Sequence, residues 1–201
     1  MKTKFPSALL SFTMLFLFVF FSGQAQILNQ QGDDMDKPET AIPNEIFWHV
    51  KAYRPDAKLL DIKAIDKDGN MHDIKAIQDS PDTSILNIKA IVNGNRLPIK
   101  LIIQGNNQYY PVKAIDNDGV LMDIKAFTED GRRLDLKGVS KIGNIVNLRA
   151  ITNNAVHYNI IAVSPDGAVN DVKGVKMMDD SVETIINSVS IYAHVKALKQ
   201  N

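Results

Sequence analysis

The sequence of 201 residues contains no cysteine. This absence excludes disulfide bonds, thiolate metal ligands, a cysteine nucleophile and a lipid anchor attached through an N-terminal cysteine. A buried apolar core must therefore provide the stability of the fold, and 45% of the residues are hydrophobic.

An excess of charge of either sign is also missing, since 23 Lys and Arg residues balance 23 Asp and Glu residues. No broad positive field is available to attract nucleic acid. Aromatic residues make up 7% of the chain. The places where a sugar ring could stack are therefore few, and the candidates are Trp48, Tyr109 and Tyr110. We expect these side chains to lie in the core or cap its ends, with ligand binding as the alternative.

Sequence signatures of catalysis are missing as well. The chain has no G-x-S-x-G, no H-E-x-x-H and no phosphate-binding loop, and its histidines lack the short spacing of metal ligands. The sequence therefore predicts a protein that is not an enzyme and holds no cofactor.

The N-terminus has the three parts of a secretory signal peptide. Lys2 and Lys4 precede a 14-residue apolar run at 8–21, and small residues follow at Gly23 and Ala25. A membrane-spanning helix needs about 20 apolar residues, so a cleaved signal over residues 1–25 explains the run better. We predict export to the periplasm or the extracellular space, with no transmembrane helix after cleavage and no lipid anchor.

The rest of the chain divides into a leader and a repeat domain. Residues 26–45 are polar and contain two prolines, which predicts a flexible leader. Residues 46–199 repeat one unit, aliphatic-Lys-Ala-aliphatic, usually preceded by Asp or Asn. Its centres are Lys51, Lys63, Lys75, Lys89, Lys100, Lys113, Lys125, Lys137, Arg149, Ile161, Lys173 and Lys196. The last gap is 23 residues long, which predicts a degenerate unit at 182–187.

Each unit alternates like a strand with one buried face, as the segment 60–65 illustrates. Leu60, Ile62 and Ala64 point to one side, whereas Asp61 and Lys63 point to the other. Between units, sequences such as Asp-x-Asp-Gly suit a three-residue hairpin whose glycine takes a positive φ. Consecutive strands are therefore expected to be antiparallel neighbours.

The charges give a register for these hairpins. The turn at Gly69 places Lys63 opposite Asp73 and Asp61 opposite Lys75. The turn at Gly131 places Lys125 opposite Asp135 and Asp123 opposite Lys137. Every lysine would then face a carboxylate, whereas a parallel solenoid would stack lysine on lysine.

The predicted fold is an all-β, antiparallel up-and-down meander of about 12–13 short strands, closed as a flattened barrel or a two-layer sandwich. The first and last units share the sequence His-Val-Lys-Ala at His49 and His194, which makes their strands expected partners. Pro98 and Pro111 remove backbone donors, so we expect the chain to turn a corner between layers around 97–112.

Two kinds of binding site remain as alternatives to a structural role. Asp66, Asp68, Asp116 and Asp118 resemble parts of calcium loops, although the turns already account for them. The lysine rows could bind phosphate or an acidic polysaccharide, but their expected Asp partners would neutralise them. We therefore predict no metal site and a self-complementary charged face.

The segment Ser22-Gly23-Gln24-Ala25-Gln26, followed by repeated Asp-Ile-Lys-Ala-Ile and Asp-Val-Lys-Gly-Val, resembles uncharacterised exported proteins of Gram-negative bacteria. The resemblance covers most of residues 48–198 and implies a family of unknown function, with no activity or site residue attached. The sequence thus predicts an exported, non-catalytic module, structural or ligand-binding, whose partner could be a cell-surface glycan or protein. The alternatives are an outer-membrane β-barrel and a secreted enzyme acting on polysaccharide.

Overall fold

The computed structural model describes residues 45–105, 109–176 and 185–200, which form thirteen antiparallel strands in one sheet. The strands are β1 (Ile46–Tyr53), β2 (Leu60–Ile65), β3 (Met71–Gln78), β4 (Ile85–Val92), β5 (Asn95–Ile102), β6 (Tyr110–Ile115), β7 (Leu121–Phe127), β8 (Arg133–Ile142), β9 (Ile145–Ile151), β10 (His157–Val163), β11 (Val169–Val175), β12 (Ile185–Ile186) and β13 (Val189–Lys199). The predicted all-β antiparallel fold is confirmed. The degenerate unit at 182–187 falls mostly outside the described residues, and β12 is its visible end.

The turns form as the sequence predicts. Gly69 has a φ of 86°, and its N–H donates to the carbonyl of Asp66 over 3.1 Å. Gly119, Gly131 and Gly167 have φ angles of 79°, 79° and 92°. These left-handed positions favour glycine, because a Cβ atom would be strained there.

The hairpins do not stay paired along their whole length, and a third strand enters each of them. In the first case β2 pairs with β3 at Lys63–Asp73, but β1 then pairs with β2 at Lys51–Asp61. The predicted pairing of Lys63 with Asp73 is confirmed, whereas that of Asp61 with Lys75 is wrong. The same difference occurs at the Gly131 turn: Lys125 lies opposite Asp135 as predicted, but Asp123 lies opposite Lys113 rather than Lys137.

Such groups of three mutually paired strands, which we call triads, account for all twelve long strands. Triad A contains β1, β2 and β3; triad B contains β4, β5 and β13; triad C contains β6, β7 and β8; and triad D contains β9, β10 and β11. Within a triad each strand pairs with one partner through its first half and with the other through its second half. The three strands of a triad thus surround a common point, which is the centre of that triad.

Six further strand pairs join the triads. They are β1–β10, β2–β7, β3–β4, β5–β6, β8–β9 and β11–β13, and they connect every triad once to every other triad. Four faces joined along six edges have the connectivity of a tetrahedron. Each long strand is consequently paired on both sides, so the sheet closes on itself.

The predicted pairing of the first and last strands is wrong. β1 pairs with β2, β3 and β10, whereas β13 pairs with β4, β5, β11 and β12, so His49 and His194 lie in different triads. Pro98 and Pro111 lie within β5 and β6, which pair directly at Ile99–Ala114 where the chain passes from triad B to triad C. No helix among the described residues has the length and apolarity needed to cross a bilayer.

Lysines of different triads do lie opposite one another, contrary to the expectation that every lysine faces a carboxylate. Lys63 lies opposite Lys125 where β2 meets β7. Each of the two instead forms a hydrogen bond with an aspartate of its own triad, Lys63 with Asp73 and Lys125 with Asp135. Neutralisation therefore takes place within the triads.

The apolar face of the repeat forms the interior. The residue after each repeat centre is a fully buried alanine in nine units, namely Ala52, Ala64, Ala76, Ala90, Ala114, Ala126, Ala150, Ala162 and Ala197. The other three units have Leu101, Gly138 and Gly174. A Cβ added to Gly138 would lie 2.3 Å from Leu101 Cδ2, and one added to Gly174 would lie 2.9 Å from Leu101 Cδ1. Leu101 thus fills the space that the two glycines leave.

Candidate functional site

The aromatic candidates are largely enclosed by the fold. Trp48 is 2% exposed in the core, and its indole N–H donates to Gln78 Oε1 over 2.8 Å. The ring of Tyr110 stacks on Tyr192 with 3.8 Å between centroids, which covers one of its faces. Tyr109 is partly buried. The structure does not bring Trp48 and the two tyrosines into one sugar-binding platform.

The calcium candidates act as turn caps. Asp66 accepts hydrogen bonds from the backbone N–H of Asp68 and from His72 Nε2, both over 2.9 Å. The hydrogen bond from His72 is the main reason why the pKa of Asp66 is lowered. Asp116 likewise accepts from the N–H of Asp118 over 3.0 Å. Among the described residues, no group of three or more His, Cys, Asp or Glu side chains is placed to hold a metal ion.

The most distinctive arrangement lies at the centres of the triads, on the outer face. In each strand we call the residue two positions before the repeat centre the partner position; Asp61, two residues before Lys63, is an example. Within a triad, the repeat centre of each strand lies opposite the partner position of a neighbouring strand. In triad A the three pairs are Lys51–Asp61, Lys63–Asp73 and Lys75–His49. In triad C they are Lys113–Asp123, Lys125–Asp135 and Lys137–Pro111. In triad D they are Arg149–Asn159, Ile161–Asp171 and Lys173–Asn147.

Aspartates at these partner positions are held as carboxylates by their lysines. The hydrogen bond from Lys113 lowers the pKa of Asp123, and that from Lys125 lowers the pKa of Asp135. Burial is the largest single influence on Lys125 and would lower its pKa, but the hydrogen bonds and charges of Asp135 and Asp123 together outweigh it, so the pKa is raised. These pairs therefore stay ionised at neutral pH, and triad C neutralises most of its own positive charge.

Triad B departs from this pattern. Its pairs are Lys89–Pro98, Lys100–His194 and Lys196–Asn87. All three repeat centres are lysines, yet none of the three partner positions holds an aspartate. Triads A and C each combine three lysines with two aspartates, and triad D combines two cations with one aspartate. Triad B therefore carries two more positive charges at its centre than any of the others.

Neutral acceptors orient two of these lysines. Lys100 Nζ donates to His194 Nδ1, and both residues are 8% exposed. Because an ammonium group only donates, Nδ1 is the acceptor nitrogen and the ring proton lies on Nε2. Lys196 Nζ donates to Asn87 Oδ1 over 2.5 Å. His194 Nδ1 and Asn87 Oδ1 thus take the place that an aspartate has beside Lys63 and Lys125.

A pocket of about 160 Å³ opens at this point. It is lined by Asn87, Ile88, Lys89, Pro98, Ile99, Lys100, His194, Val195 and Lys196. Triad C has a pocket of the same volume, whose lining includes Lys113, Lys125 and Lys137 but also Asp123 and Asp135. Pro98 and Pro111 occupy the same position in the repeat. The two pockets therefore have equal volumes and differ in the charged side chains that line them.

A buried positive charge is costly unless a negative group or hydrogen-bond acceptors compensate it. Among the described residues, the lining of the triad B pocket contains three lysines and a histidine and no carboxylate. Several N–H donors therefore surround one small space. Chemically, this arrangement suits an anion with several oxygen atoms.

This site could not be predicted from the sequence, because its residues lie far apart in the chain. Lys100 and His194 are separated by 94 positions. A signal was nevertheless present in the partner positions, where Asn87, Pro98 and His194 replace the aspartate found in other units. Three such replacements have meaning only once the triad is known.

Fold and site together define a class: an antiparallel β-repeat protein whose outer face carries Lys–Asp pairs in triads A and C and a pocket lined by three lysines and a histidine in triad B. The chain belongs to a family of unknown function, DUF7486, whose family model matches residues 44–198. The expected membership of an uncharacterised family is confirmed. No curated protein and no solved structure matches the chain.

Proposed function

We propose that this protein is an exported, non-catalytic module that binds a small oxyanion in the pocket of triad B. The observation that carries the proposal is the lining of that pocket, in which three lysines and a histidine surround about 160 Å³ and no described lining residue is an Asp or Glu. An oxyanion placed there would accept charge-assisted hydrogen bonds, which are stronger than hydrogen bonds between neutral groups.

The comparison with triad C supports this location. The two pockets have equal volumes and three lysines each, but Lys113 and Lys125 already have carboxylate partners in Asp123 and Asp135. An anion entering triad C would be repelled by those carboxylates, whereas the part of the triad B lining that the structure describes contains none. Of these two pockets, we therefore expect only the pocket of triad B to bind an anion.

The use of the repeat aspartates supports a non-catalytic role. A polysaccharide-cleaving enzyme needs two carboxylates that converge on the substrate. All five aspartates at partner positions instead contact lysines: Asp61, Asp73, Asp123, Asp135 and Asp171. Their carboxylates are engaged in ion pairs on the surface of the sheet.

Export is proposed from the signal-like segment at 1–25, and it has its own test. Mass spectrometry of the N-terminal peptide, recovered from fractionated native cells, is expected to begin at Gln26 and to come from the periplasm or the medium. Recovery of the uncleaved chain from the cytoplasm would contradict export.

Anion binding is tested by isothermal titration of the chain from Gln26 with inorganic phosphate at pH 8 and low salt. The variant Asn87→Asp introduces the carboxylate that other triads carry, at the atom to which Lys196 already donates. It is expected to weaken phosphate binding by about tenfold or more, because it adds a negative charge next to the ligand.

Asn147→Asp is the matched control. Asn147 occupies the same partner position in triad D and accepts a hydrogen bond from Lys173 over 3.0 Å. This variant is expected to bind phosphate like the wild type. Absence of phosphate binding by the wild type, or equal losses in the two variants, would contradict the proposal.

A further inference from the structure

Two tyrosine rings from distant parts of the chain lie in contact. Tyr110 begins β6 in triad C, and Tyr192 lies on β13 in triad B. Their ring centroids are 3.8 Å apart and their planes are inclined by 10°. Aromatic pairs in proteins usually have centroids about 4.5–7 Å apart, so the ring carbons of this pair are unusually close. Both side chains are only partly buried, which leaves the pair accessible from solvent.

The two hydroxyl groups lie at the same end of the stack. The hydrogen bond with Tyr192 is the main reason why the pKa of Tyr110 is raised, so the Tyr110 hydroxyl is the donor and the Tyr192 oxygen is the acceptor. A hydrogen bond between the two oxygens requires the stacked rings to point in the same direction. The ortho carbons, which are the ring carbons next to the C–O bonds, therefore face each other across the stack.

Two lysines determine the electrostatic environment of Tyr192. The Nζ atoms of Lys141 and Lys176 lie 5.8 Å and 5.7 Å from its ring centroid, within the range of cation–π interactions. Burial is the largest single influence on Tyr192 and would raise its pKa, but the hydrogen bonds from Tyr110 and Lys141 and the charges of the two lysines together outweigh it, so the pKa is lowered. A phenolate loses an electron more readily than a phenol. Tyr192 is therefore the ring from which an oxidant first removes an electron.

We propose that Tyr110 and Tyr192 form a site of oxidative cross-linking, where a haem peroxidase with hydrogen peroxide, acting as a one-electron oxidant, joins them as dityrosine. Each tyrosine loses one electron and its hydroxyl proton, and the two phenoxyl radicals form a carbon–carbon bond between facing ortho carbons. The proton on each of these carbons then moves to the phenolic oxygen, which restores both aromatic rings. The protein loses two hydrogen atoms in total, and these convert one hydrogen peroxide into two water molecules.

The cross-link gives a chain without cysteine a covalent connection. It joins β6 to β13, and therefore triad C to triad B, and it closes a loop that contains all the strands between them. Closing a long loop restricts the unfolded chain and so stabilises the fold, as disulfide bonds do in secreted proteins. Neither tyrosine belongs to the lining of the triad B pocket, so the cross-link and anion binding are tested independently.

The experiment treats the chain from Gln26, at low micromolar concentration and pH 8, with a haem peroxidase and hydrogen peroxide. The monomer is then isolated by gel filtration. It is expected to show dityrosine fluorescence, an intact mass lower by two hydrogen atoms, and a linked pair of peptides that contain Tyr110 and Tyr192. Its midpoint of urea denaturation is expected to be higher than that of the untreated chain.

Tyr110→Phe and Tyr192→Phe keep both rings and remove one hydroxyl each, so each variant is expected to lose the linked peptides and the rise in urea midpoint. Tyr158→Phe is the matched control. Tyr158 is also partly buried and lies 5.4 Å from the guanidinium of Arg54, but among the described residues it has no stacked aromatic partner. This control is expected to form the cross-link like the wild type.

Urea denaturation before oxidation shows whether each variant folds, and the wild-type peptide map identifies the linked residues without any variant. A wild-type monomer that gains no link would overturn the proposal. So would a link through another tyrosine, links formed only between separate chains, or a link that persists in either of the two folded Phe variants.

Discussion

Triads B and C are built on one plan and differ at a few positions. Each has three central lysines, a proline at one partner position and a pocket of about 160 Å³. Triad C has Asp123 and Asp135 at the other two partner positions, whereas triad B has Asn87 and His194. The same pattern of strands thus presents two carboxylates beside the lysines in triad C, and an amide and an imidazole at the corresponding places in triad B.

The inner faces of the two triads differ in a complementary way. Triad B contributes Leu101 at the position after the repeat centre, where triad C contributes Gly138. The large side chain of one triad and the missing side chain of the other share one space. Triads B and C thus differ in charged side chains on the outer face and in side-chain volume on the inner face.

The largest expected effect comes from removing this complementarity. Gly138→Ala places a Cβ atom 2.3 Å from Leu101 Cδ2, so we expect the free energy of unfolding to fall by about 1–3 kcal/mol. Urea denaturation measures the change. The double variant with Leu101→Ala serves as the control, because its loss is expected to be smaller than the sum of the two single losses. Additive losses would show that the two positions do not share a space.

The next effect comes from making triad C resemble triad B. In Asp123→Asn/Asp135→Asn the lysines keep neutral acceptors but lose their counter-charges. We expect a loss of roughly 1 kcal/mol in unfolding free energy at low salt, since each partly exposed pair contributes about 0.2–1 kcal/mol. Phosphate is expected to restore this loss and to bind a second time per chain, which thermal unfolding and titration would detect. A variant that gains no second phosphate would show that pocket shape and lysines are insufficient.

The smallest expected effect is on how the stability of the protein changes with pH under acidic conditions. Lys113 and Lys125 lower the pKa values of Asp123 and Asp135, so in the folded protein these groups release protons more readily than in the unfolded chain. Their contribution to stability is complete above the unfolded pKa of about 3.9 and is lost as the pH falls through the lower folded pKa. Urea midpoints between pH 5 and 2 are therefore expected to fall less steeply in the double Asn variant. Equal slopes would mean that these carboxylates titrate alike in both states.

Much of the fold could be predicted from the sequence because its signals are local. Alternation along 60–65 identifies a strand, and Gly69 with the flanking aspartates identifies a turn. The register near each turn, such as Lys63 opposite Asp73, also follows from local geometry. The pairing of β1 with β10 or of β4 with β13 could not be predicted, because twelve similar strands offer many nearly equivalent partners.

The candidate site was less predictable for the same reason. The lysine rows are compatible with an anion-binding face, but the alternation of Lys and Asp predicts that each lysine faces a carboxylate in every unit. The irregular segment 97–112, which contains Pro98 and Lys100, was visible in the sequence. Its combination with His194 and Asn87 depends on β13 pairing with both β4 and β5, which no local pattern encodes.

Leu101, Gly138 and Gly174 have a further consequence for how the chain finds its fold. A chain with many near-identical strands can form numerous closed sheets in which a strand has taken the place of another. Nine of the units carry the same buried alanine and are interchangeable at that position. Leu101 fits beside Gly138 and Gly174, and in most exchanged arrangements it would collide with an alanine. These three residues therefore distinguish their strands from the other strands of the repeat. They raise the energy of incorrectly paired sheets, so that one arrangement is preferred.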